Sequence, residues 1–161
     1  MMGSGKTTVG RLLAARLGWP YHDNDELVRR LYNATPREIV ASRGEPAMRE
    51  AETHALVLGL EAPARCVIGA GAGTILEATN RRLMNDAGTV VWLRASAATI
   101  EARATGAQHR PFVDAGGADW IREALREREP LYAAVADLTI ETDGRASDAI
   151  VDEAFQFLAR S

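Results

Sequence analysis

Gly3-Ser4-Gly5-Lys6-Thr7-Thr8, running straight into Val9-Gly10-Arg11-Leu12-Leu13-Ala14-Ala15-Arg16-Leu17-Gly18, is the stretch that decides what kind of fold this chain builds. It is the back half of the pattern G-x-x-x-x-G-K-[ST], whose glycines let backbone N–H groups curl around phosphate oxygens. Gly3, Ser4, Gly5 and Thr8 belong to that curl. The helix that follows offers its positive end to the same anion. Lys6 is placed to reach the outer phosphates, and the Thr7 hydroxyl to ligate magnesium. The plain alternative is a glycine-rich helix start with an accidental Gly-Lys-Thr. An apolar face of Val9, Leu12, Leu13 and Leu17 directly after the loop, closed by Gly18 as a C-terminal cap, argues against it.

Counting back from Gly5, the motif's first glycine would fall one position before Met1, and no strand precedes the loop. Such a strand is central in this kind of sheet, and its loss strips two neighbours of their pairing. The expectation is therefore a chain truncated relative to the natural protein. Four strands should be found, with a gap or unusually exposed backbone where the first would belong.

Outward from the loop, strands and helices alternate. Trp19-Pro20-Tyr21-His22 reads as a short extended piece leading to Asp23-Asn24-Asp25 and a helix through Leu27, Val28 and Leu31. Thr35-Pro36-Arg37-Glu38 reads as a capping box with proline at the first helical position, and a longer helix runs from about Glu45 to Leu60. Arg65-Cys66-Val67-Ile68 reads as a buried strand entering the turn Gly69-Ala70-Gly71-Ala72-Gly73. Thr89 to Leu93 is the clearest strand, and Ser96 caps the helix after it. Gly106 to Gly117 is polar and glycine-containing and reads as a mobile lid, with Asp119 opening a helix. Asp137 to Glu141 is the last strand, and Ser147 caps a terminal helix with Ile150, Val151, Ala154, Phe155 and Leu158 on one face. Strands separated by helices predict an α/β fold with a parallel sheet covered on both faces.

Length and composition agree. The 161 residues suit one compact domain, and 47% hydrophobic with 25% charged residues is an ordinary globular balance. A net charge of -3, dispersed along the chain, gives no reason to expect nucleic acid or a membrane surface as partner. Cys66 is the single cysteine, so no internal disulfide is possible, and no apolar run reaches membrane-spanning length. A reducing cytoplasm is the default compartment. Neither Cys66 nor the histidines form a cluster with metal-ligand spacing, and His109 reads as solvent-facing.

Taken in order, these motifs make the chain resemble the shikimate kinase family from its first residue to its last strand. The resemblance rests on five features: the phosphate loop with its Thr8-Val9-Gly10-Arg11 continuation; Asp23-Asn24-Asp25; Gly44-Glu45-Pro46-Ala47-Met48-Arg49 with Glu52; the glycine turn after Ile68; and Arg110-Pro111 followed by Arg128-Glu129-Pro130-Leu131-Tyr132. It implies a three-layer P-loop kinase domain over residues 1–161, with a lid near 106–117 and five strands in the family. It implies ATP and magnesium, and phosphorylation of shikimate to shikimate 3-phosphate by a cytoplasmic monomer. Asp23 would face magnesium through water, and Asp25 would accept the proton of the attacking hydroxyl. Asp23 and Asp25, two apart at a strand end, are expected to point to opposite sides, although a capped helix start would also explain one of them. Lys6 and the lid residue Arg110 would serve the γ-phosphate, with Arg103 and Arg145 on the nucleotide. Arg49 and Arg128 would clamp the acceptor carboxylate beside Gly71, Ala72 and Gly73, although each could be a merely exposed helix charge.

Two departures bear on the acceptor. Ala72 stands where the family has a third consecutive glycine, and Met48 replaces a phenylalanine, softening a pocket wall. The competing readings are a gluconate or nucleoside monophosphate kinase, and a non-catalytic nucleotide-binding module.

Overall fold

A computed structural model describes residues 3–105 and 111–160, with the side chains of 104, 105 and 111–116 outside the description. Its elements run α1 (Lys6–Leu17), β1 (Tyr21–Asp23), α2 (Asn24–Tyr32), α3 (Pro36–Leu60), β2 (Val67–Gly69), a 3-10 turn (Thr74–Leu76), α4 (Ala78–Ala87), β3 (Val91–Arg94), α5 (Ala97–Thr105), α6 (Pro111–Val135), β4 (Leu138–Glu141) and α7 (Ser147–Leu158). The chain divides into two compact units, Met1–Val9 with Thr89–Ser161, and Gly10–Gly88.

The strands are parallel, as the alternation predicts, and they form two pairs. β1 lies beside β2 with Tyr21 opposite Val67 and Asp23 opposite Gly69. β3 lies beside β4 with Val91 opposite Leu138 and Arg94 opposite Glu141. Among the described residues no ladder joins the two pairs, so the four strands do not make one continuous sheet.

In the Gly10–Gly88 unit, α2 and α3 pack through Leu27, Val28, Ile39, Met48, Ala51 and Ala55. The predicted capping box is present: Glu38 N donates to Thr35 Oγ1 at 3.2 Å and Thr35 N to Glu38 Oε2 at 2.7 Å. Glu38 lies below its ordinary pKa because the Thr35 backbone N–H, and then its hydroxyl, stabilise the carboxylate. Gly44, at φ 81 and ψ 175, interrupts α3, and Pro46 falls in the first turn of the resumed helix, where a missing N–H costs nothing. Gly18 closes α1 at φ 67, with Trp19 N bonded to Ala14 O and Gly18 N to Ala15 O, the paired bonds of a Schellman end.

The other unit has its own core of Ala95, Ile100, Ile121 and Ala124. Ser96 caps α5 through Thr99 N at 3.2 Å. Among the described residues no helix is long and apolar enough to cross a membrane.

Several local expectations need correction. Arg65 and Cys66 precede β2 instead of lying in it, and the half-buried Cys66 thiol is pushed up in pKa by burial. Leu12 and Leu31 are exposed, because the buried side of α1 turns through Val9, Leu13 and Ala14 and that of α2 through Leu27 and Val28. Ser147 is the first helical residue of α7, whose cap position is Ala146 with no side-chain bond. The stretch expected to be irregular up to Gly117 is helical from Pro111, broken only at Gly117 (φ 55), while 106–110 lie outside the described residues. Met48 is 4% exposed inside the α2–α3 core and so is a core residue, not a softened pocket wall.

Candidate active site

The phosphate-loop residues belong to the first unit. Gly3 (φ 78) and Gly5 (φ 93) both adopt left-handed backbone, which a side chain would strain, and the Ser4 between them is buried. Val9 N then donates to Gly5 O at 3.0 Å, so helical bonding starts directly at the loop. Lys6, Thr7 and Thr8 form that first turn, with Thr7 and Thr8 exposed. From the last turn of α5, Arg103 Nη1 donates to Gly3 O at 3.1 Å, placing a guanidinium on the loop. Asp143 accepts from Ser96 N at 3.1 Å, and its carboxyl is held below the usual range by the Ser96 and Thr99 hydroxyls, with Arg103 adding to the effect.

Two further predicted arginines lie in this unit. Arg145 spans the end of β4 and the start of α7, donating to Glu141 O at 3.1 Å and Ala149 O at 3.3 Å and pairing with Glu153 at 2.8 Å. Arg128 is only 8% exposed, with its guanidinium 5.9 Å from the centre of the Trp120 ring. The solvated-face reading of Arg126-Glu127-Arg128-Glu129 therefore fails at Arg128, while Arg126 is exposed as that reading expects. Arg110 lies outside the described residues.

The remaining predicted residues lie in the second unit. Asp23 ends β1 in extended backbone and caps α2, its Oδ1 accepting from Asp25 N at 3.0 Å. Asp25 sits exposed in the first turn of the helix. The strand alternation expected to separate the two carboxylates does not apply, because residues two apart on a strand share a face. What distinguishes them is the change from strand to helix at Asp23.

One turn of helix sets Arg49 beside Glu52. Arg49 Nη1 donates to Glu52 Oε2 at 2.5 Å, and the other carboxylate oxygen accepts Gly73 N at 3.0 Å. Glu52 is 4% exposed, and burial raises its pKa, opposed by the Arg49 charge and the two hydrogen bonds and reinforced by Asp25. The glycine turn is pressed onto this pair. A Cβ at Gly73 would overlap the Arg49 guanidinium, and one at Gly71 would lie 2.7 Å from Glu52 Oε1 and 2.9 Å from Asn24 Nδ2. Ala72 stands between them, half-buried.

Sequence reasoning missed Trp120 beneath Arg128, the Glu52–Gly73 bond and the Tyr21 hydroxyl, which donates to Asp23 Oδ2 at 3.3 Å. Two of these had a signal. Trp120 and Arg128 are eight apart on one helix, and Tyr21 and Asp23 two apart on one strand, so each pair shares a face.

The family model described as shikimate kinase matches residues 2–159. A shikimate kinase from Moorella thermoacetica is 40% identical over 152 residues, covering 94% of this chain and 87% of its own length. One from Nitratidesulfovibrio vulgaris is 39% identical, covering 98% and 91%. Among solved structures, the shikimate kinase of Acinetobacter baumannii in complex with shikimate aligns at a TM-score of 0.91 and 33% identity, covering 99% of this chain and 89% of that one. The shikimate kinase of Bacteroides thetaiotaomicron aligns at 0.89 and 28% identity, covering 99% and 94%.

Proposed function

This chain belongs to the shikimate kinase family, and from that membership we propose that it transfers the γ-phosphoryl group of ATP to a hydroxyl of shikimate, giving shikimate 3-phosphate. It is a phosphotransferase with the α/β P-loop kinase fold. The observation that carries the choice of acceptor is the Arg49–Glu52–Gly73 arrangement. A guanidinium already fixed by a buried carboxylate presents a planar fork suited to an acceptor carboxylate.

In this reading Gly3, Ser4, Gly5, Lys6, Thr7 and Thr8 hold the phosphates, with Arg103 and Arg145 toward the nucleotide. Lys6 and Arg110 neutralise charge that develops on the transferring group. Asp25 takes the proton from the acceptor hydroxyl as its oxygen bonds to the γ-phosphorus and the bond to ADP breaks. Arg49 and Arg128 grip the carboxylate, and the backbone of Gly71, Ala72 and Gly73 lines the acceptor side.

Thr7 and Asp23 fit magnesium as its protein partners. A small hard cation that keeps several waters needs few protein oxygens when phosphates supply the rest, and a carboxylate such as Asp23, with a hydroxyl and a backbone N–H already aimed at its oxygens, is a hard oxygen donor of that kind. When bound, magnesium neutralises phosphate charge. We further propose that residues 1–161 act as one kinase domain, monomeric and cytoplasmic, with 106–117 as its lid.

An acceptor panel tests the assignment. ADP release should be supported by shikimate with kcat/KM at least about 100-fold above gluconate or any nucleoside monophosphate. Preference for either rival acceptor overturns it.

A further inference from the structure

Tyr21 occupies a slot made by two glycines from different elements. A Cβ on Gly10 of α1 would lie 2.5 Å from Tyr21 Cε2, and one on Gly69 at the end of β2 would overlap the Tyr21 hydroxyl. Glycine inside a helix is less favourable than alanine, so Gly10 is there for clearance and not for helix stability. At Gly69 the nearest atom to an added side chain is the hydroxyl oxygen itself, ahead of any ring carbon. The packing thus accommodates the hydroxyl as well as the ring. Arg11 adds its guanidinium at 5.9 Å from the ring centre.

We propose that Tyr21 is a positioning residue whose hydroxyl fixes the Asp23 carboxylate toward the metal; the inference rests on the reading of Asp23 as the metal-facing acid. The cap bond from Asp25 N engages only Oδ1, and the second torsion of an aspartate is broad. The Tyr21 hydroxyl engages Oδ2, so donors on both oxygens set the plane of the carboxylate. Magnesium demands near-ideal octahedral geometry, and a carboxylate free to rock would hold its waters poorly. Groups that orient a metal's protein partners commonly change metal affinity by about 10- to 100-fold. If Tyr21 were only a space-filling ring, phenylalanine would serve as well.

The test compares the unaltered chain, Tyr21→Phe and Asp23→Asn. Mn2+ is titrated into each in the presence of saturating ADP, and free Mn2+ is read from its electron paramagnetic resonance signal. Thermal unfolding is followed alongside. Tyr21→Phe should weaken Mn2+ binding about tenfold with Tm almost unchanged, because the ring and its slot remain. The Mg2+ concentration for half-maximal turnover should rise by a similar factor, with KM for shikimate unchanged. Weaker Mn2+ binding in Asp23→Asn but none in Tyr21→Phe overturns the role of the hydroxyl. Unchanged binding in both overturns the metal-facing reading of Asp23 itself, and the proposal with it.

Discussion

Glu52 holds Arg49 with one carboxylate oxygen and the Gly73 N–H with the other, so a single buried side chain joins helix α3 to the glycine turn. A free arginine must lose side-chain entropy when it binds a carboxylate, and this one has already lost much of it. The cost appears as a buried acid in place of an apolar residue.

Replacing that acid tests the arrangement. Glu52→Gln keeps the shape and an acceptor for Gly73, but loses the charge on Arg49. KM for shikimate should rise about tenfold, the low end for a hydrogen bond to a charged group. ATP affinity measured without acceptor should not change.

The same residue predicts a pH dependence. Its pKa is raised above the ordinary 4.5, first by burial, so as pH falls it becomes neutral before an exposed glutamate would. KM for shikimate should therefore rise as pH falls through the raised value, and Glu52→Gln should flatten that limb. Stability runs the other way. A carboxyl with a raised folded pKa contributes most below its ordinary value, and that contribution is lost as pH rises through the raised one.

Gly73 has no room for a side chain, since a Cβ would overlap both Arg49 and Glu52. Gly73→Ala should lower stability by about 1–3 kcal/mol, the usual range for overpacking, and should weaken shikimate binding. Thermal melting and an acceptor titration read the two effects.

Arg103 predicts a loss confined to the nucleotide. Its bond to Gly3 O ties α5 to the phosphate loop, so Arg103→Ala should raise the Kd for ATP about tenfold. KM for shikimate at saturating ATP should stay the same.

Much of this was readable in the chain. The phosphate loop, the capping box and the alternation of strands and helices are local patterns, and local hydrogen bonding decides them. Arg128 was singled out by the family resemblance, but its burial was not readable, because Arg126-Glu127-Arg128-Glu129 is charged at every position and only the packing of Trp120 shows which arginine is buried. The Glu52–Gly73 bond spans 21 residues, and no spacing rule reaches across two elements. The number of strands and their parallel pairing were legible, and two pairs with no ladder between them among the described residues agree with the gap expected in the sheet. The geometry expected of Asp23 and Asp25 was not legible, because a strand gives way to a helix between them.

The most direct test of the account is single-turnover transfer from ATP to shikimate by the unaltered chain and by Asp25→Asn, with ATP affinity measured on both. Asp25 is exposed at the start of α2, away from the phosphate loop in sequence, and its carboxylate is assigned the acceptor proton. The account predicts formation of shikimate 3-phosphate by the unaltered chain, a rate lower by about 10²–10⁴ in Asp25→Asn, and the same Kd for ATP in both. Transfer at an undiminished rate by Asp25→Asn, or a parallel loss of ATP affinity, would contradict it.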